Sequence, residues 1–251
     1  MILGILQARI SSTRLPGKVL KPILGIPMLL HQIKRIQRAK LVDKLIVATS
    51  LEQADDELEN MCKGNGIQCF RGSLEDVLER FYQAAKLFKP EHIVRLTGDC
   101  PLTDPEIIDQ VIEVHLRGNF DYTSNALEPT YPDGLDVEVL RFSVLERARQ
   151  EATLSSQREH VTLYIYQNPL EFKIGVVKGK PDLSALRWTV DEPQDFALVK
   201  DVYEFLYPQN PNFTTKDILE YINIHSELKE INNGFVRNEG LTKSLNYEDE
   251  R

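Results

Sequence analysis

Cysteine is scarce in this sequence. Cys62, Cys69 and Cys100 are the only three, and no two form a C-x-x-C pair. An odd count without that spacing argues against a zinc site or a disulfide framework, and reduced thiols fit the cytosol. Long hydrophobic runs are also missing: no apolar stretch approaches the roughly 20 residues of a bilayer-spanning helix. The opening Met1–Leu6 run is too short for a signal peptide and lacks a basic leader, so a cytoplasmic location with no membrane partner is expected. Nor is there a basic excess. Thirty Lys and Arg against 38 Asp and Glu leave a net charge of −8, which argues against broad nucleic-acid binding. A mononucleotide remains compatible, because a few local cations and a divalent metal suffice to hold one. G-x-G-x-x-G and G-x-x-x-x-G-K-[ST] are both absent, so neither a dinucleotide loop nor a Walker loop is present. The sequence shows no internal repeat and no low-complexity tract.

What is present is a regular alternation of short apolar runs and helical patterns. Ile2–Leu6, Lys44–Thr49, Ile67–Phe70 and His92–Leu96 read as strands. Pro27–Arg38, Ala54–Asn65, Leu74–Phe88 and Pro105–Leu116 read as the helices between and after them. This order predicts an α/β fold, a mostly parallel doubly wound sheet covered on both faces, with right-handed crossovers. The alternation breaks after residue 121. A strand end at Asp121–Asn125, a polar loop to Gly134 and strands at Leu135–Leu140, Phe172–Val177 and Ser184–Val190 are expected. Helices are expected at Phe142–Glu151, Gln157–Gln167, Pro193–Leu206 and Thr215–Ile224, with Thr214 or Thr215 capping the last. The expected organisation is one domain over residues 1–225, a small inserted lobe at about 125–185, and a polar tail over 226–251, partly disordered from Asn232 onward.

The stretch Gln7-Ala8-Arg9-Ile10-Ser11-Ser12-Thr13-Arg14-Leu15-Pro16-Gly17-Lys18 follows the first strand. It holds three cations, three consecutive hydroxyl residues and a Pro-Gly turn. A basic, hydroxyl-rich loop at the carboxyl end of a first strand is where open α/β sheets bind phosphates; a basic surface turn is the alternative. Further blocks follow in order: Phe70-Arg71-Gly72-Ser73 with Glu75–Leu78 and Arg80-Phe81, Arg95–Leu102, Tyr131–Glu138, Arg158–Thr162 and Arg187–Pro193. Together they resemble, over roughly residues 1–210, the spore coat polysaccharide biosynthesis cytidylyltransferase family, which is related to the CMP-sialic acid and CMP-Kdo synthetases. The resemblance implies a nucleotide-diphospho-sugar transferase-like sheet and attack of a sugar oxygen, that of a sugar acid, on the α-phosphorus of CTP. A CMP-sugar for surface polysaccharide or glycoconjugate synthesis and pyrophosphate would result. It also implies a homodimer.

The resemblance assigns roles to particular residues. Gln7, Ala8, Arg9, Ser12, Arg14 and Lys18 would surround the nucleotide, with Arg9 and Lys18 on the triphosphate and Arg14 either sharing that role or ordering the loop. Asp99, in Thr97-Gly98-Asp99, and Asp191, in the Val-Asp segment, would hold Mg2+, which needs one or two carboxylates beside phosphates and waters. Asp191 or Glu192 could instead cap the following helix. Arg71, Ser73 and Asp76 would frame base and ribose, although Ser73 and Asp76 also read as a helix start. Tyr131, Asp133, Asp136 and Glu138, with Arg158, His160 and Tyr164, are candidate sugar contacts; solvated surface or structural roles are the alternative. No general base is evident, and nothing marks Cys100 as a nucleophile. Three rival functions stand: a sugar-phosphate nucleotidyltransferase, a glycosyltransferase and a non-catalytic nucleotide-binding protein. Against the second, Gly98-Asp99-Cys100 supplies only one carboxylate where an Asp-x-Asp motif has two.

Overall fold

The computed structural model describes residues 1–249; Glu250 and Arg251, the end of the expected tail, lie outside them. β1 (Ile2–Gln7) is buried over its four central residues, as a strand covered on both faces must be. A hairpin of β2 (Pro22–Ile23) and β3 (Ile26–Pro27) leads into α1 (Met28–Ile36). β4 (Lys44–Ser50), α2 (Asp56–Gly64), β5 (Gln68–Gly72), α3 (Val77–Lys86), β6 (His92–Thr97) and α4 (Pro105–Gly118) continue the alternation. After it come β7 (Tyr122–Ser124), β8 (Glu138–Arg141), α5 (Phe142–Glu151), α6 (Ser155–Glu159), α7 (Leu163–Gln167), β9 (Ile174–Val176), α8 (Pro193–Leu206), α9 (Thr215–Ile224) and α10 (Glu239–Asp249).

The main sheet has the order β5-β4-β1-β6-β8-β7-β9. Its first four strands are mutually parallel. β8 runs antiparallel to both β6 and β7, and β9 runs parallel to β7. The expected mostly parallel α/β sheet is therefore present. Strand periodicity divides the core. Leu3 and Ile5 join α3 (Leu78, Phe81) and α5 (Leu145, Ala148) on one face. Leu6 and Val47 join α1, α2, α4, α8 and α9 on the other. Truncating such a fully buried leucine to alanine costs about 2–5 kcal/mol.

Several local expectations change. The Ser184–Val190 segment is not a strand of the sheet. Trp188, Thr189 and Val190 are all buried, and the Trp188 and Thr189 amides both donate to Asp133 O, at 2.6 and 2.9 Å. The Val190 amide donates to Asp99 O at 2.7 Å. The segment thus ties two loops together instead of joining a ladder. The helix expected over Gln157–Gln167 splits into α6 and α7, because His160 has non-helical dihedrals and the β-branched Val161 and Thr162 turn inward and are buried. α3 starts later than expected. Asp76 is its N-cap, accepting from Glu79 N at 2.9 Å, while Ser73 Oγ accepts from Asp76 N at 3.0 Å. Thr214, not Thr215, caps α9, and Asp104 caps α4. The tail is ordered through α10, which packs beside α6: Glu248 accepts from Ser156 N at 2.7 Å and from its Oγ at 2.6 Å.

Candidate active site

β1 and β6 are adjacent and parallel, so the loops leaving their carboxyl ends stand side by side, where open α/β sheets bind ligands. Gly98 permits the approach. Its amide donates to Gln7 O at 2.7 Å, and a Cβ there would lie 2.9 Å from Ala8 Cβ and 3.0 Å from Gln7 O. The basic loop is pinned from below by buried Asp55, whose carboxylate accepts from Ile10 N at 2.7 Å and Ser50 N at 3.0 Å. Burial pushes the Asp55 carboxyl up, but hydrogen bonds from Ser50 and Ile10 more than offset this, leaving it below the usual carboxylate range. Above these loops opens a cleft of about 430 Å³.

Gln7, Ala8, Arg9, Ser12, Arg14, Lys18, Thr97, Asp99, Asp133, Asp136, Glu138, His160 and Asp191 all line this cleft. Lys18 is buried, and its ammonium donates to Val190 O at 2.7 Å and Asp191 Oδ1 at 2.9 Å, with Asp99 Oδ2 at 3.8 Å. Arg14 and Arg187 also reach Asp191, at 3.1 and 3.3 Å. Burial raises the Asp191 carboxyl, yet Lys18, Arg14 and Arg187 outweigh it and hold the group low. Asp99 is less encumbered. Its Oδ1 accepts from Thr97 Oγ1 at 2.5 Å and from the Cys100 thiol at 3.3 Å, and Lys18 is its one ion-pair partner among the described residues. Arg9 is exposed and makes no hydrogen bond or ion pair among the described residues. Gln7 Oε1 is buried without a hydrogen-bond partner there.

The donor chemistry fits a magnesium ion only in part on the protein side. Asp99 and Asp191 are hard oxygen donors converging on one ammonium. Among the described residues, however, no group of three His, Cys, Asp or Glu side chains is assembled for a metal. Two carboxylates with phosphates and waters completing the shell is the usual magnesium arrangement at phosphate sites, so the residues fit an ion brought with a nucleotide.

The other half of the cleft carries three carboxylates, each met by an arginine. Glu138 pairs with Arg95 across β6 and β8 and accepts from Tyr122 and Thr162 hydroxyls at 2.5 Å. Burial would raise its carboxyl, but Arg95 and the two hydroxyls keep it lowered. Asp133 pairs with Arg187 at 2.9 Å, and burial leaves it raised. Asp136 pairs with Arg237; burial pushes it up to about 7 even so. Gly134, at φ 107°, lets this loop lie against the Arg187 segment, because a Cβ there would stand 2.5 Å from Thr189 N.

Six expected residues do not line the cleft. Arg71 turns back over the edge of the sheet, donating to Asp56, Glu59 and the carbonyls of Ser50 and Glu52 at 2.6–2.9 Å. Ser73 and Asp76 cap α3, and Arg158 braces that cap through Asp76 at 2.6 Å. Tyr131 and Tyr164 give their hydroxyls to Gln110 and Glu151. Sequence reasoning missed Arg95 and Arg187 as individuals, although both lie inside the recognised blocks. It also missed Asp55 and the tail residues 236–241, which no spacing signalled.

Residues 3–227 match the family described as Cytidylyltransferase. Spore coat polysaccharide biosynthesis protein SpsF of Bacillus subtilis is 35% identical over 229 residues, 88% of this chain and 94% of that protein. A 3-deoxy-manno-octulosonate cytidylyltransferase of Geobacter sulfurreducens is 37% identical over 113 residues, 44% of each chain. The solved structure of a cytidylyltransferase from Leptospira borgpetersenii superposes with a TM-score of 0.87 at 32% identity, over 94% of this chain and 99% of that one. The chain belongs to the cytidylyltransferase family and is a CTP-dependent nucleotidyltransferase.

Proposed function

We propose that the protein transfers the cytidylyl group of CTP to a hydroxyl of a sugar acid, giving a CMP-sugar for surface polysaccharide or glycoconjugate synthesis. The observation that carries this reading is the placing of Lys18 between Asp191 and Asp99 at the joined ends of β1 and β6. The names of the spore coat and 3-deoxy-manno-octulosonate relatives support the sugar class.

In this reading the sugar hydroxyl oxygen bonds to the α-phosphorus of CTP. The bond from that phosphorus to the bridging oxygen breaks, pyrophosphate leaves, and the hydroxyl proton passes to solvent. Exposed Arg9, together with Lys18 and Arg14, receives the triphosphate; Arg14 and Lys18 must loosen their hold on Asp191 to do so. These fixed cations stabilise charge that grows on the leaving group, and the loop positions the phosphates. Asp99 and Asp191 would hold Mg2+, which when bound supplies Lewis-acid charge at the phosphates. The Arg-paired wall of Asp133, Asp136 and Glu138 offers acceptors for sugar hydroxyls.

The test is to count phosphorus atoms in the product. Incubation with CTP, Mg2+ and a panel of sugar acids, followed by 31P NMR, gives one phosphodiester signal beside pyrophosphate if the reading holds. Two coupled phosphorus signals in the sugar product, formed from a sugar phosphate alone, would replace it with the sugar-phosphate nucleotidyltransferase.

A further inference from the structure

The family match ends at residue 227, yet the chain beyond it sets the protonation of a cleft side chain. α10 lies against α6, where Glu248 holds Ser156, and Ser244 Oγ comes to 3.0 Å from His160 Nε2. The same Oγ stands 3.0 Å from Glu159 Oε2 and 3.1 Å from Gly240 O. A carboxylate and a carbonyl only accept, so the single hydroxyl proton of Ser244 goes to one of them. The Ser244 oxygen must then accept from His160, which assigns the ring proton to Nε2. Nδ1 keeps its lone pair. It has no partner among the described residues, and it is not buried.

His160 lines the cleft. Thr162, two residues on, donates to Glu138 at 2.5 Å, and Glu138 pairs with Arg95 of β6. Arg95 and Thr97 are two apart on that strand and so share a face. Thr97 Oγ1 in turn donates to Asp99 at 2.5 Å, so the imidazole stands on the face of the sheet that leads to Asp99. The charged groups facing the ring are Glu159 on α6, Glu248 on α10, Glu138 on β8 and Arg95 on β6. Burial is the largest influence, and with Arg95 it lowers the imidazole against the pull of the three carboxylates. The ring is therefore neutral near pH 7, with Nδ1 free to take a proton.

We propose that His160 Nδ1 is the general base for the attacking hydroxyl of the acceptor, and that Ser244, backed by Glu159, is the positioning residue that fixes its tautomer. This rests on the hydroxyl-attack reading above. As the hydroxyl oxygen bonds to the α-phosphorus, its O–H bond breaks and the proton moves to Nδ1. The bond from phosphorus to the bridging oxygen breaks, and pyrophosphate leaves with its electron pair. The imidazolium, held through Nε2–H by Ser244 and Glu159, then gives the proton to solvent. The other tautomer would present an N–H where a lone pair is needed.

Two measurements on the full chain test this. Long-range 15N NMR of the imidazoles, with His160→Gln to assign the signals, shows His160 as the Nε2–H form in the wild type and as a mixture of tautomers in Ser244→Ala. Pyrophosphate release with CTP, Mg2+ and a sugar acid gives kcat against pH. His160→Gln lowers kcat on the order of 10²-fold and loses the acid limb of the profile. Ser244→Ala lowers kcat about tenfold, the scale of one hydrogen bond to a charged group, with the KM for CTP unchanged. Ser244→Thr, which keeps the hydroxyl, recovers most of that loss. A wild-type His160 carrying its proton on Nδ1 would overturn the proposal. So would an acid limb that survives in His160→Gln, or equal losses in Ser244→Ala and Ser244→Thr. A wild type that turns over only sugar phosphates removes the functional reading itself, and that outcome is visible before any variant is assayed.

Discussion

Lys18 and Asp191 stand 173 residues apart in the chain and 2.9 Å apart in the fold. The contact joins the loop after β1 to the segment before α8, and it makes one ammonium serve both the loop and the carboxylate expected to hold a metal.

Replacing Lys18 with methionine keeps much of its length and removes the charge. Activity is expected to fall on the order of 10²–10³-fold, the usual scale for losing one preorganised charge-stabilising donor. Arginine, with its planar fork, does not fit the single-point contacts to Val190 O and Asp191 and restores little. Steady-state kinetics check this, and a Lys18→Met enzyme within threefold of wild type would remove Lys18 from the chemistry.

Gly98→Ala places a methyl group 2.9 Å from Ala8 Cβ and 3.0 Å from Leu29 Cδ1 and Gln7 O. Backbone and core must shift, at a cost of about 1–3 kcal/mol, and the phosphate loop moves with them. The expected result is a lower thermal midpoint together with a raised KM for CTP. A loss of stability with CTP kinetics unaltered would show that the loop does not depend on this packing.

Arg158 offers the opposite expectation. It braces the N-cap of α3 and does not line the cleft. Arg158→Ala should cost about 1 kcal/mol of stability, as partly exposed ion pairs do, and leave kcat/KM within twofold. Chemical denaturation and kinetics on the same preparation separate the two effects.

Much of the fold was legible in the sequence because parallel strands covered on both faces read as short continuous apolar runs. The loop through Lys18, and Asp99 with it, were legible because each follows a parallel strand, whereas Asp191 was legible only through the resemblance of its Val-Asp segment. Other features depended on contacts between distant residues. Apolar Trp188 and Val190 on either side of polar Thr189 read as a strand, but Asp133 and Asp99 take their amides. Arg71 follows a strand like the other site residues, yet Asp56 and Glu59 on α2 draw it away. Arg237 sits in a polar stretch that no local rule separates from solvent-exposed tail, and only its partner Asp136 gives it meaning.

Two buried histidines contribute to the loss of stability in acid. His92 and His115 touch each other at 3.1 Å, and His115 also meets Thr123 Oγ1 at 3.0 Å. Burial lowers both, His115 to about 3. The unfolded chain takes up these protons near pH 6.5 while the folded chain does not, so stability is full above about pH 6.5 and is lost as the pH falls toward 3. At pH 5 the contribution lost for His115 is on the order of 1–2 kcal/mol. Thermal midpoints across pH 5–7.5 check this: His115→Gln should show a shallower fall than wild type, and parallel curves would contradict it.

The most direct measurement is pyrophosphate release from each of the four nucleoside triphosphates with Mg2+, against sugar acids and sugar phosphates, with Asp99→Asn as control. Asparagine keeps an oxygen for the Thr97 hydroxyl and removes the charge. Release from CTP alone, requiring a sugar acid and abolished in Asp99→Asn, is the predicted result. Release that requires a sugar phosphate, or that persists undiminished in Asp99→Asn, would contradict it.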